Sequence, residues 1–174
     1  MSKIIRSSNY LLFISIVACI ISAFVFVFLL TQNTVKYAIA LELPYNSDQV
    51  IILINKERIK NNLKPLISEQ LLTNAANNKN RDMINNKYFS HISPVDGKKW
   101  SDFIKEVKYE YVEAGENLAN GFKKADEMVN AWMNSPTHRA NILGEGYTET
   151  GVAIQKGKIN GADTIFVTQV FGRR

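Results

Sequence analysis

Residues 11–30, "LLFISIVACIISAFVFVFLL", run for twenty positions without a charge. Nothing else in the chain constrains its fold as strongly. That much contiguous apolar surface cannot be left in water, and it is too long for one face of a small globular helix. As a helix it would be about 30 Å long, which matches the hydrocarbon core of a bilayer. Lys3 and Arg6 precede the run, and only Lys36, Glu42 and Asp48 are charged between Thr31 and Asp48. Cationic flanks stay on the cytoplasmic side. Residues 1–9 are therefore predicted to be cytoplasmic, 10–31 to be a transmembrane signal-anchor (or a long signal peptide), 32–45 a tether, and 46–174 an exported domain. The expected location is the cell membrane, single-pass, with the C-terminal domain outside. A cleaved signal usually carries about 7–15 apolar residues, so the length favours a retained anchor. Ala38-Ile39-Ala40 offers a small-residue cleavage pattern, and cleavage after Ala40 would release a secreted protein. "IVAC" (16–19) is similar to a lipoprotein box, but the apolar run continues well past Cys19, which makes lipid attachment the weakest of the three readings.

Cys19 is the only cysteine. The exported part therefore has neither a disulfide nor a thiolate nucleophile and must be held by its core. Two of the 21 basic residues precede the apolar run, which leaves 19 against 16 acidic ones, or +3, for residues 31–174. These cations are scattered singly. Nucleic-acid binding needs a basic patch or stripe, so it is not expected; the membrane itself, through residues 10–31, is.

Beyond the tether the pattern is helical. Ser47 is a plausible N-cap for a helix to about Asn62, with Pro65 as a stop. Ser68 is expected to cap a second helix, with Leu71, Leu72, Ala75, Ala76 and Met83 at helical spacing. Trp100, Phe103, Ile104 and Val107 mark a third; Ala125, Met128, Val129, Trp132 and Met133 mark a fourth. Both stripes, tryptophans included, read as core. After Gly144 the pattern changes to period two. "YTETGVAI" and "DTIFVTQVFG" read as strands joined at Asn160-Gly161, with Tyr111–Glu113 as a further short strand. The expectation is an α+β domain in which helices cover both faces of a small antiparallel sheet.

The chain has two histidines, His91 and His138. Ser135, Pro136, Thr137 and His138 read as N-cap, N1, N2 and N3 of a short helix. The positive helix end would favour a neutral imidazole there, as a base or a metal ligand requires. Packing or capping alone is the plainer alternative. His91 reads as the end of the second helix, where a surface cap and a functional role are equally open. Glu116 reads as entering a buried stretch through a tight turn after Gly115, and a carboxylate so placed needs a partner. Separations of 25 and 22 residues match no local metal motif.

Five ordered motifs go further: "YFSH" (88–91), "GENLA" (115–119), "AWMNSPTHRANIL" (131–143), "YTETGVAI" (147–154) and "TQVFG" (168–172). Across roughly 46–172 the chain resembles the CAP superfamily (cysteine-rich secretory proteins, antigen 5, pathogenesis-related proteins; SCP-like), in its bacterial exported branch. The resemblance implies a three-layer α-β-α sandwich. It also implies a cleft where two histidines and two acids can hold a divalent cation. His91, Glu116 and His138 match three of those positions, and the second acid falls on Ser135, three residues after Trp132. Two imidazoles and a carboxylate would suffice for a three-ligand zinc site with water in the fourth position. Arg139, Asn141 and Asn117 are expected to orient groups behind the site. Glu149 and Gln169 are expected beside the cleft, with Glu149 the first candidate to replace the missing acid, and Tyr88 is expected at the rim. The preferred function is an extracellular binding module for a lipid, peptide or cell-envelope ligand. The alternatives are a metal- or His-dependent hydrolase of peptide or envelope substrates, with His138 and Glu116 as candidate catalytic residues, and a structural envelope or stress protein with a vestigial cleft. No HExxH, GxSxG or cysteine nucleophile motif supports the enzyme.

Overall fold

A computed structural model describes residues 19–29 and 43–174. Residues 19–29 are helical. The remainder of the expected membrane segment, the cytoplasmic residues and most of the tether lie outside the described residues. Among the described residues no helix is long and apolar enough to cross a membrane. A compact unit spans Leu43–Arg174, and Tyr45 is already part of its core.

Helix α1 (Ser47–Lys60) starts one residue earlier than Ser47 as N-cap would require. Asn46 is the cap: its side chain accepts the Gln49 amide at 2.9 Å, and Gln49 Oε1 accepts the Asn46 amide at 2.9 Å. This reciprocal box satisfies two otherwise orphan donors. Ser68 does not cap the next helix either. It lies in a two-residue strand, β1 (Ile67–Ser68), and α2 (Gln70–Asn85) is capped by the Glu69 carboxylate, which accepts from the Leu71 and Leu72 amides. The negative carboxylate also suits the positive helix end. Then follow α3 (Trp100–Glu106), β2 (Glu113–Asn120), α4 (Ala125–Asn134), α5 (Pro136–Ile142), β3 (Glu149–Ile159) and β4 (Ala162–Arg173).

The sheet order is β1-β3-β4-β2. β3 and β4 form the expected hairpin, and Asn160 and Gly161 both take positive φ (50° and 81°), as the tight turn needs. The sheet is not wholly antiparallel, because β1 runs parallel to β3. Of Tyr111–Glu113, expected as a short strand, only Glu113 is in one: it begins the eight-residue β2, with Glu116 in its middle and no turn there. Alternation along the strands divides the core between two faces. Val152 and Phe171 pack with Val50, Ile54, Val129, Trp132 and Ile142 from α1, α4 and α5. Ala153 and Val170 pack with Leu72, Ala75, Phe103 and Ile104 from α2 and α3. Helices thus lie on both sides of one sheet. The α2 face sits almost in contact with the strand, since a Cβ on Gly151 would come within 2.1 Å of the Thr73 amide nitrogen.

β2 matters most for function. It is the last strand of the sheet and pairs only with β4. An edge strand leaves alternate backbone groups unpaired. Here two carbonyls, two residues apart, are covered by side chains: Asn141 Nδ2 donates to Glu116 O (3.0 Å) and Trp132 Nε1 to Leu118 O (3.0 Å).

Candidate functional site

A cleft of about 430 Å³ opens along the first half of β2. Ala114, Gly115 and Glu116 line it from the strand, Asn141 and Tyr147 from the α5 side, and His91, Ile92, Lys99 and Trp100 from the segment leading into α3. Side chains from the two helical layers can meet here only because the sheet ends here. Glu116 belongs to the strand face that packs on α2, while the neighbouring Asn117 donates to the His138 carbonyl of α5 at 3.2 Å.

His91 does not end a helix. α2 stops at Asn85, and His91 lies six residues later. It begins a narrow turn closed by the Ile92–Lys99 bridge. Its carbonyl accepts from the Trp100 amide (3.1 Å) and from Lys79 Nζ (3.3 Å), which sets its backbone. Its half-exposed ring places Nδ1 2.6 Å from Oε1 of Glu116, whose side chain is 1% exposed. Burial pushes the Glu116 carboxyl above its ordinary value, while the His91 hydrogen bond and the nearby Lys79 and His91 charges pull the other way. Its second oxygen, Oε2, is buried without a hydrogen-bond partner among the described residues. A buried carboxylate must be compensated, and Lys79 supplies part of the compensation. Lys79 is 1% exposed, donates to Tyr88 Oη at 3.1 Å and sits 4.9 Å and 5.4 Å from the Tyr88 and Phe103 ring centres. Burial lowers its pKa; the Glu116, Asp82 and Asp96 charges oppose that shift.

His138 occupies N3 of α5, as its spacing predicts, with Ser135 as N-cap and Pro136 at N1. Its Nδ1 lies 2.9 Å from Ser135 Oγ, and its ring packs beside Trp132 (centroids 6.3 Å apart). Burial lowers its pKa, and the nearby His91 charge adds to the effect, so the neutral ring is favoured. On each histidine Nδ1 is engaged, and Nε2 makes no hydrogen bond among the described residues.

The other expected site residues divide into two groups. Asn117 and Asn141 stand behind the cleft, joined to one another at 2.9 Å and to the Glu116 and His138 carbonyls. Arg139 points to solvent on α5. Tyr88 is 7% exposed, not at a rim, and donates to Asp82. Gln169 is buried within the sheet and donates to Thr150 Oγ1. Glu149 does not replace the missing acid. It accepts from Tyr109 and Arg174 and does not line the cleft. Lys79, Trp100 and Tyr147 are not distinguished as site residues by the sequence. A lysine in an otherwise apolar-polar helix carries no particular signal, and Trp100 fits a core stripe. Tyr147 is tied to Gly115: a Cβ there would meet Tyr147 Oη at 2.6 Å, so the glycine makes room for that wall.

Among the described residues no three His, Cys, Asp or Glu side chains group closely enough to hold a metal ion. The geometry gives the reason. Oε1 of Glu116 is turned onto His91 Nδ1, behind that imidazole. The imidazole donors left without a hydrogen bond among the described residues are the two Nε2 atoms, each ring being engaged through its Nδ1. A second cavity, of about 400 Å³, lies between α1 and the start of α4, with Tyr45, Ile52 and Leu53 against Lys56, Lys123 and Lys124. It contains no imidazole.

Comparison with known proteins agrees with this architecture. The Bacillus subtilis (strain 168) uncharacterized protein YkwD is 43% identical over 112 residues, 64% of this chain and 43% of that one. The uncharacterized membrane protein YlbC of the same organism is 33% identical over 126 residues, 72% of this chain and 34% of that one. The chain thus spans less than half the length of either relative. An extracellular SCP-domain protein of Bacillus anthracis is similar in structure at a TM-score of 0.63 and 34% identity, over 74% of this chain and 40% of that one. An outer surface protein of Borrelia burgdorferi is similar at a TM-score of 0.60 and 25% identity, over 73% of this chain and 92% of that one. The model of the cysteine-rich secretory protein family, CAP, matches residues 51–171. With that match over most of the chain, and four of the five ordered motifs lining one cleft, the chain belongs to the CAP family.

Proposed function

We propose that this chain is an exported binding module, held at the cell surface by residues 10–31, whose cleft takes a divalent cation and a cell-envelope ligand. The observation that carries the reading is the 2.6 Å contact between His91 Nδ1 and the buried Glu116 carboxylate at the wall of the cleft. A carboxylate behind an imidazole sets its tautomer and raises its basicity, which is how metal-ligating histidines are commonly supported. His91 and His138 are the residues that would hold the ion, zinc being the first candidate for imidazole donors. A bound cation would supply a Lewis acid at the cleft. The protein's own part is to aim both rings, and to line the approach with Trp100, Ile92 and Tyr147. Anchoring and export are supported by the charge-free run and by relatives described as extracellular or membrane proteins.

A hydrolase is the second reading, favoured by the Ser135 Oγ–His138 Nδ1 contact of 2.9 Å. A serine beside a neutral imidazole is the start of a nucleophile-base pair, but among the described residues no third side chain orients that base.

The test is calorimetric titration of the full chain in detergent with Zn²⁺ at pH 7.5, beside the His91→Ala/His138→Ala variant, with melting curves for both. Saturable binding lost in the variant supports the cation site. A folded wild type that binds no Zn²⁺ removes the cation from the reading. Turnover of a peptide or envelope substrate, abolished by His138→Ala, would put the hydrolase first.

A further inference from the structure

Ser135 stands at the N-cap of α5 in the extended conformation of a capping residue (φ −97°, ψ 119°), yet its side chain makes no capping hydrogen bond. An N-cap serine ordinarily accepts from the N2 or N3 amide. Here the hydroxyl is used elsewhere. Oγ lies 2.9 Å from His138 Nδ1 and 3.4 Å from Thr137 Oγ1. The arrangement parallels that of the other histidine, where Nδ1 meets Glu116 Oε1 at 2.6 Å. In both cases a protein oxygen engages Nδ1, and no described residue engages Nε2.

We propose that Ser135 is a positioning residue which holds the His138 ring through Nδ1, so that its Nε2 keeps a free lone pair. This deepens the two-imidazole reading above and rests on it for its purpose, although its test does not need a metal. Three features support it. The His138 backbone is already held, because Asn117 donates to its carbonyl at 3.2 Å, so only rotation of the side chain remains to be set. Trp132 limits that rotation on one side of the ring. The hydroxyl chain admits the proton direction this role requires. If Nδ1–H donates to Ser135 Oγ, the serine proton is free to go to Thr137 Oγ1, and Nε2 keeps its lone pair. The reverse direction, with Ser135 donating to Nδ1, would put the ring proton on Nε2 and leave no donor atom for a cation. A neutral hydroxyl thus does at His138 what the carboxylate does at His91, at the position where the second acid of the expected cleft is missing.

The presence of only two histidines makes the test direct. The full chain, labelled with ¹⁵N-histidine and kept metal-free in detergent at pH 8, gives four ring nitrogens in a long-range ¹H–¹⁵N spectrum. The wild type is expected to show His138 with a protonated Nδ1 and an unprotonated Nε2. Ser135→Ala should move both nitrogens toward averaged values and leave the His91 pair unchanged. Ser135→Thr should restore the wild-type pattern. In Zn²⁺ titrations Ser135→Ala should weaken binding about 10- to 100-fold, the usual effect of losing such a supporting group, and Ser135→Thr by less than about threefold. Unchanged His138 shifts in a folded Ser135→Ala variant would overturn the proposal and leave the serine as a cap without a role in the cleft. Labelling of Ser135 by a fluorophosphonate would overturn it in favour of a nucleophile. If the tautomer results hold while the wild type binds no Zn²⁺, the positioning role stands and the cation reading fails.

Discussion

Replacing Arg58 by methionine tests what holds the α5 side of the cleft. Arg58 is 1% exposed. Its guanidinium donates to Lys64 O (2.9 Å), Ile142 O (2.8 Å), Gly144 O (2.9 Å) and Tyr147 O (3.3 Å), joining α1 to the end of α5 and to the loop that carries Tyr147. Methionine would fill the space of the stem and donate nothing. Ile142 O lies in fully buried surroundings and would be left unsatisfied, at a cost of about 1–3 kcal/mol. The other three carbonyls are only partly buried and can find water, so each loses roughly 0.5–1.5 kcal/mol. Against this stands the relief of burying a cation, which the lowered Arg58 pKa reports. The net expectation is a loss of about 3–5 kcal/mol, as when one partner is removed from a buried charge network. With a urea slope of about 1–3 kcal/mol/M, the unfolding midpoint should fall by roughly 1–5 M. Arg58→Lys should recover less than half of the loss, because one ammonium cannot span carbonyls from three segments. A midpoint within about 0.3 M of wild type at unchanged slope would refute the reasoning. It would mean that the carbonyls are served by water and that the guanidinium does not tie α1 to α5.

Two further expectations concern packing and pH. Gly151→Ala should destabilise by about 3 kcal/mol or more, because its Cβ would strike the α2 backbone at 2.1 Å. Gly146→Ala meets only the Glu113 side chain, which can swing into solvent, and should cost less than about 1 kcal/mol in the same urea titration. For pH, Glu116 and His138 act in opposite directions. The Glu116 carboxyl is raised above 4.5, so the folded state binds more protons than the unfolded chain above that pH, and its contribution to stability is lost as pH rises. His138 is lowered below 6.5, so its contribution is present above 6.5 and lost as pH falls. Glu116→Gln removes the first effect alone. It should melt higher than wild type at pH 7.5, with the gain shrinking toward pH 4.5. A variant less stable than wild type at pH 7.5 would show that Lys79 and His91 more than offset the burial of the carboxylate.

What could be read from the chain alone were the features that depend on local chemistry. The helical stripes of α3 and α4, the period-two pattern of β3 and β4 and the Asn160-Gly161 turn each reflect backbone geometry within a few residues, and all are found in place. The same holds for the start of α5, where Ser135-Pro136 is a local signal. The caps depart from expectation where two candidates adjoin. Asn46 and Glu69 displace Ser47 and Ser68 because β1 claims Ser68 and because Gln49 completes a reciprocal box with Asn46. β1 itself could not be read, since two residues have no periodicity and their strand character comes wholly from pairing with β3.

The cleft needed the tertiary structure. His91, Glu116 and His138 could be named, but their spacing carries no information about contact, and the arrangement differs from the three-donor set the motifs suggest. Glu116 faces His91 and not a shared ligand position, because β2 is the edge of the sheet and the α2 layer delivers His91 to the same side as the Glu116 side chain. Glu149 looks equivalent in sequence, yet Tyr109 and Arg174 claim it elsewhere. Lys79, Arg58 and Gly115 were silent for the same reason. A buried charge or a missing Cβ has meaning only through the groups packed against it. The sequence determined which elements form, because propensity and periodicity act over a few residues. The tertiary structure decided which polar side chains share a buried space, because desolvation and hydrogen bonding depend on neighbours that the chain brings together from 20 to 90 residues away.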